Sequence, residues 1–143
     1  MIKHITELEA LEFVSQQEHK DEWHKDFHMW KKHLIVLANK WPQLKQFYRG
    51  AGKWLGFFDT ELKGVYWYNI SSDEIYDGYL ISSKPGIGIK LGRYLDSNIA
   101  WKNNWSLCDK KYLKFNKRLG FEVKDTGQIN DREVFLLWRQ KKY

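Results

Sequence analysis

Between residues 54 and 81 the chain passes through three blocks of strand length, and these constrain the fold more than any other feature of the sequence. Trp54-Leu55-Gly56-Phe57-Phe58, Val65-Tyr66-Trp67-Tyr68-Asn69-Ile70 and Ile75 to Ile81 are rich in aromatic and β-branched residues, which suit a pleated, half-buried surface. Short polar breaks, Asp59-Thr60-Glu61 and Ser71-Ser72-Asp73, separate them. Breaks of that length leave room for tight turns but not for crossover helices, so the three strands are expected as an antiparallel meander.

The flanks complete an alternating pattern. Ile2 to Ile5 is a short apolar run that predicts a first strand. Thr6-Glu7-Leu8-Glu9 has the form of a capping box, and Leu8, Leu11 and Val14 follow at helical spacing. Phe27, Trp30, Leu34, Leu37 and Trp41 form one stripe of a second helix, which Pro42 is expected to end. Beyond the meander, Ser82 to Gly88 leads into a helix striped by Ile87, Leu91, Tyr94, Leu95 and Ile99. Trp105 to Cys108 reads as a strand, and Tyr112 to Leu119 as a short helix closed by Gly120. Phe121 to Lys124 and Glu133 to Arg139 read as the final strands. The order is strand, two helices, three strands, helix, strand, helix, two strands. Residues 1–143 contain no repeat and no Pro/Gly/Ser linker, so a single domain is expected.

Composition excludes several classes. Hydrophobic residues at 43% and charged ones at 29% fit a globular chain rather than a disordered one. No apolar stretch is long enough to span a bilayer, and the N-terminus lacks a secretory signal. With a single cysteine, Cys108, there is no internal disulfide and no zinc knuckle, which fits a cytoplasmic setting. The net charge of +6 suits an anionic partner, but the basic pairs (Lys31-Lys32, Lys110-Lys111, Lys117-Arg118) are scattered along the chain. That scatter speaks against a nucleic-acid surface and for solvated faces.

The segment Ser83-Lys84-Pro85-Gly86-Ile87-Gly88 is the most informative for function. A strand that feeds a Gly-rich turn at a helix start presents free backbone N–H groups and the positive end of the helix dipole, which is an anion site. Gly86 and Gly88 permit close approach of a phosphate, and Lys84 can add a point charge. The spacing fits neither the Rossmann fingerprint nor a P-loop.

This loop, following the fourth strand, resembles the [Q/R]-x-x-G-x-[G/A] loop of the GNAT acetyltransferase superfamily, with Ser83 in place of Gln or Arg. Asp109 to Phe121, ending Lys117-Arg118-Leu119-Gly120-Phe121, resembles a second stretch of that family, N-x-x-A-x-x-x-Y-x-x-x-G-F. The likeness is sharp over residues 74 to 138 and topological before them. It implies an α/β fold with a mixed, mostly antiparallel central sheet of about six to seven strands and helices on both faces. It also implies acetyl-CoA as cofactor, held by Ile81, Ser82, Ser83, Lys84, Gly86, Ile87, Gly88, Ile89, Asp109 and Phe115. The implied activity is transfer of the acyl group to an amine of a small molecule or protein in a ternary complex, with backbone amides near Ile81 and Ser82 polarising the thioester carbonyl.

Two positions depart from the family pattern. Asp109 stands where an Asn is usual, and Asn116 where the thiolate-protonating Tyr is usual, so Tyr112, one turn earlier, becomes the candidate acid. Glu74 and Asp77 are the candidate bases, with Glu61 behind them. A catalytically inactive relative that binds a protein or nucleic-acid partner stands as the alternative. His24 and His28, four apart, can share a metal only with a third ligand that the sequence does not supply, and His19 and His33 add none. Trp23, Trp30, Trp41, Phe47 and Tyr48 are expected as core or as the acceptor wall. The family often dimerises, and the last strand is the expected edge for a homodimer. In size and Trp/Lys content the chain also resembles small acetyltransferases of bacteria and phages.

Overall fold

The structure, a computed structural model, describes residues 1–18 and 22–141. Its elements are β1 (Ile2–Ile5), α1 (Glu7–Ser15), α2 (Glu22–Lys25), α3 (Phe27–Leu37), α4 (Pro42–Arg49), β2 (Lys53–Asp59), β3 (Glu61–Ser71), β4 (Glu74–Ser82), α5 (Ile87–Asn98), β5 (Asn103–Asp109), α6 (Leu113–Arg118), β6 (Glu122–Ile129) and β7 (Arg132–Gln140). The strands form one seven-stranded sheet in the order β1-β2-β3-β4-β5-β7-β6. All neighbours are antiparallel except β4 and β5, which run parallel. The expected mixed sheet with helices on both faces is present.

Local chemistry explains most boundaries. The capping box at α1 is formed: Glu9 N–H donates to Thr6 Oγ1 at 3.1 Å and Thr6 N–H to Glu9 Oε1 at 3.1 Å. Behind α6, Gly120 has φ +94. Its N–H bonds Lys117 O while Phe121 N–H bonds Asn116 O, the pairing of a Schellman stop. Three expectations need correction. Pro42 begins α4 rather than only ending α3, because a first-turn residue has no intrahelical N–H partner to lose. Leu8 is 79% exposed; Ala10, Phe13 and Val14 are the buried positions of α1 instead. β7 is not an edge, since it pairs with both β5 and β6, and the open edges are β1 and β6.

Two cores flank the sheet. On one face α1, α3 and α4 pack Phe13, Phe27, Trp30 and Leu34 against Trp54, Trp67 and Tyr79. Trp30, Trp41 and Tyr48 all belong to this core, so the abundance of rings reflects packing. On the other face α5 lays Ile87, Leu91 and Leu95 on Leu55, Tyr66 and Ile75.

The irregularity that shapes the molecule lies in β4. The β3–β4 register runs Trp67↔Tyr79 and then Tyr68↔Asp77, so Gly78 is an extra, bulged residue. Gly78 has φ +147, and a Cβ there would lie 3.1 Å from Leu107 O. Two buried tyrosines fix the bulge from either side: Tyr48 Oη donates to Asp77 O at 2.9 Å, and Tyr79 Oη to His24 O at 2.6 Å. The parallel ladder between β4 and β5 covers only Glu74↔Asn103 through Asp77↔Ser106. Past the bulge the two strands continue, to Ser82 and Asp109, paired with β3 and β7 but no longer with each other.

Candidate functional site

The ends of β4 and β5, no longer paired with each other, bound a cavity of about 340 Å³. Gly78, Leu80 and Ser82 form one wall and Ser106, Leu107 and Cys108 the other. Pro85, Gly86 and Gly88 line the mouth, and Phe115 and Asn116 of α6, with Leu119 just after it, roof it. A crevice beyond the carboxyl ends of parallel strands is where open α/β sheets place ligands.

The mouth is an anion cradle. Gly86 caps α5 with φ +88 and makes no side-chain cap bond, so the amides of the first turn carry no side-chain acceptor. A Cβ on Gly86 would meet nothing within 4 Å, so its glycine is required by backbone angle, not by space. Gly88 is the opposite case: a Cβ there would lie 3.1 Å from Phe115 Cζ and 3.2 Å from Leu80 Cδ2, inside the cleft.

The sequence-derived cofactor residues separate into groups. Ser82, Gly86, Gly88 and Phe115 line the cavity. Ile87 directs its side chain into a core, while Ile81, partly packed on the other core, lines the second groove described below rather than this cavity. Ile89 is half-buried outside the lining. Ser83 N–H and Oγ both donate to Lys63 O, at 2.9 and 3.1 Å, tying the loop to β3. Lys84 is exposed, and its carbonyl accepts from Ser82 Oγ at 3.2 Å. Asp109 is not in the cavity; Arg132 Nη1 donates to its Oδ2 at 3.0 Å.

The candidate bases differ sharply. Glu74 begins β4, at the opposite end from the loop, and its Oε2 accepts from Tyr76 Oη at 2.6 Å. Glu61 sits at the exposed start of β3, bonded by Lys63 Nζ at 2.7 Å. Only Asp77 reaches the cavity, on its floor. Burial pushes its carboxyl up, against hydrogen bonds from Tyr66, Asn104 and Ser106 and the charge of Arg139. Asn104 links the two charges: its Nδ2 donates to Asp77 Oδ2 at 2.8 Å and its Oδ1 accepts from Arg139 Nε at 2.9 Å. Arg139 in turn holds Asp96 of α5 through two bonds of 2.7 and 3.1 Å. This network braces the cleft floor against α5 and β7.

A second groove, of about 620 Å³, opens on the α1–α2 side. Gln16, Gln17, Glu18 and Lys111 rim it. It shares four residues with the cleft: His24, Leu80, Ser82 and Tyr112. The two spaces therefore adjoin past the β4 bulge, with Tyr112 and His24 among the residues between them. The rings of that pair stand edge to face, with centroids 5.2 Å apart.

His24 is the functional candidate that the sequence pattern did not single out for this role. Its i,i+4 spacing to His28 does not form a shared face, because Asp26 caps a new helix between them and His28 is exposed on α3. Among the described residues no group of three or more His, Cys, Asp or Glu converges for a metal. His19 and the side chain of Trp23 lie outside the described residues. Cys108 is no nucleophile: burial pushes its thiol up to about 12, and Asp109 adds to the shift, against a hydrogen bond from Asn116.

No protein-family model matches the sequence, and no curated protein matches it significantly. Solved structures do match. Ard1 from Thermoplasma volcanium aligns over 100% of this chain and 98% of its own, with TM-score 0.66 and 12% identity. The spermidine/spermine N-acetyltransferase SpeG from Vibrio cholerae aligns over 99% and 92%, with TM-score 0.61 and 13% identity. A GNAT family acetyltransferase from Elizabethkingia anophelis, with acetyl-CoA bound, aligns over 98% and 97%, with TM-score 0.56 and 14% identity. No described helix is long and apolar enough to cross a membrane.

Proposed function

For a chain with the fold of the GNAT superfamily N-acetyltransferases, we propose that the β4–β5 cleft binds acetyl-CoA and that the protein transfers the acetyl group to an amine of a small molecule or protein. The observation that carries this reading is the meeting of two cavities at His24 and Tyr112, one mouth ending on free helix amides. Direct transfer in a ternary complex needs that arrangement: each reactant has its own entrance and they touch at one point.

The residues present fit the cofactor. The α5 amides at Gly86 to Ile89 and the missing Cβ of Gly88 suit a pyrophosphate and the arm that follows it. When bound, acetyl-CoA supplies an activated acyl carbon. The chain's part is to hold the carbonyl against β4 amides freed by the broken ladder, near Leu80 to Ser82, and to exclude water with Phe115 and Leu119. Asp77, Ser106 and Tyr66 make the cleft floor polar, which suits a short acyl group better than a long alkyl chain.

Thermal unfolding tests the reading. Acetyl-CoA at a hundredfold its dissociation constant stabilises by about 2.7 kcal/mol, roughly 8 °C in a domain of this size. Gly86→Asp, which sets a carboxylate against the amides, is expected to abolish the rise. An equal rise in that variant would place the ligand elsewhere, and no rise in the wild type at millimolar acetyl-CoA would refute the proposal.

A further inference from the structure

Among the described residues, two ionisable side chains line both cavities, His24 and Tyr112. Their chemistries are complementary. An imidazole nitrogen can accept a proton, and a phenol can donate one. His24 is also held in place. It is 9% exposed, its carbonyl accepts from Tyr79 Oη at 2.6 Å, and its ring packs on the Tyr112 and Tyr79 rings. His24 is thus a largely buried residue that lines both cavities. The three carboxylates read from the sequence do not occupy this position: Glu74 and Glu61 lie off both cavities, and Asp77 lines only the cofactor cleft.

We infer that His24 is the general base of the acetyl transfer, taking a proton from the acceptor ammonium in the α1–α2 groove, with Tyr112 as the acid at the departing sulfur. This rests on the acetyltransferase reading above. One ammonium proton passes to the imidazole. The nitrogen lone pair forms the C–N bond to the thioester carbonyl carbon, and the C–S bond breaks with its electron pair on sulfur. Tyr112 protonates that sulfur and recovers a proton from the acylated nitrogen. The imidazolium then loses its proton to water through the groove, so an ammonium and a thioester yield an amide, a thiol and one proton.

The titrating and charged groups around His24, among the described residues, are Tyr79 on β4, Tyr112 ahead of α6, Asp77 and Cys108 across the cleft, and Glu18 and Lys111 along the groove.

Bromoacetyl-CoA tests the placement without an acceptor, because an imidazole nitrogen at the acyl position displaces bromide from the bromoacetyl carbon. The expected result is one adduct per chain, mapped by peptide mass spectrometry to His24. CoA should block it, and His24→Gln should lack it. Labelling confined to Cys108 or Tyr112, or no labelling by a protein that acetyl-CoA does stabilise, overturns the assignment. A protein that acetyl-CoA fails to stabilise instead refutes the acetyltransferase reading, so the two failures are distinguishable. With spermidine or an alanine-terminated peptide as acceptor, whichever the wild type acetylates, His24→Gln should lower kcat/KM by 10²- to 10⁴-fold. Its acetyl-CoA-dependent melting shift should be unchanged, and added imidazole should restore part of the rate. Retention of more than a tenth of kcat/KM by a folded His24→Gln would equally overturn it.

Discussion

The β4–β5 cleft and the α1–α2 groove share lining residues but are built differently. The cleft is made of backbone: a bulge at Gly78, a ladder that stops at Asp77↔Ser106, and an uncapped helix start at Gly86. The groove is made of side chains from segments distant in sequence, Gln16 to Glu18, His24, Ile81 and Lys111. Under the proposed reading, the backbone features serve what every reaction of this type has in common, a pyrophosphate and a thioester. Side chains on loops can change without disturbing the sheet, and they set which amine enters. Stability and cofactor affinity should therefore respond to changes around the cleft, and acceptor preference to changes around the groove.

The largest expected effect is on the brace beneath the cleft. Arg139→Ala leaves Asp96, Asn104 and the Trp101–Phe121 sandwich without their shared partner, and should cost about 3 kcal/mol in urea unfolding. A loss below about 1 kcal/mol would show that the floor is not load-sharing with α5. Next comes Gly78→Ala, which combines an unfavourable φ with a tight contact on Leu107 O. It should cost about 2 kcal/mol and weaken acetyl-CoA binding, both visible in melting curves with and without ligand. Gly88→Leu should cost about 1 kcal/mol by overpacking against Phe115 and Leu80, yet remove the acetyl-CoA shift entirely. On the groove side, Glu18→Ala and Lys111→Ala, both exposed, should change stability by less than about 0.5 kcal/mol and leave the acetyl-CoA shift intact. Their effect should be confined to the KM of the acceptor, and a change in acetyl-CoA affinity would break the division between the two regions.

Asp77 supplies a pH test of the same division. Its folded-state pKa is raised above 3.8 by burial, so the folded protein holds a proton that the unfolded chain releases first. The contribution is full below the unfolded pKa and is lost as pH rises from about 4 through the folded value. Relative to Asp77→Asn, the wild type should therefore lose stability over that rise in urea unfolding. A gain instead would mean that the hydrogen bonds from Tyr66, Asn104 and Ser106 outweigh desolvation.

How much was legible in the sequence follows the same line. The meander, the Gly86–Gly88 loop and the Gly120 stop are contiguous, and their physics is local, so the residues announce them. α4 was hidden because Pro42 carries two opposite local meanings, a stop for one helix and a start for the next. β6 extends to Ile129 through a stretch that holds Asp125 and Gly127, poor strand formers kept in place by pairing with β7. Glu74 and Asp77 are indistinguishable as sequence; only the bulge between Asp77 and Tyr79 decides which carboxyl faces the cleft. His24 could not be found from spacing, since its partners are fixed by a fold that brings residue 24 against residues 79 and 112.

The central claim is that the α5 amides and the end of β4 no longer paired with β5 hold acetyl-CoA. It is tested most directly by titrating acetyl-CoA into ¹⁵N-labelled protein and following the backbone amide resonances. The account predicts the largest shifts at Gly86, Ile87 and Gly88, with smaller ones from Leu80 to Ser82 and at His24. Shifts confined to other surfaces, or no saturable shift at millimolar ligand, would contradict it.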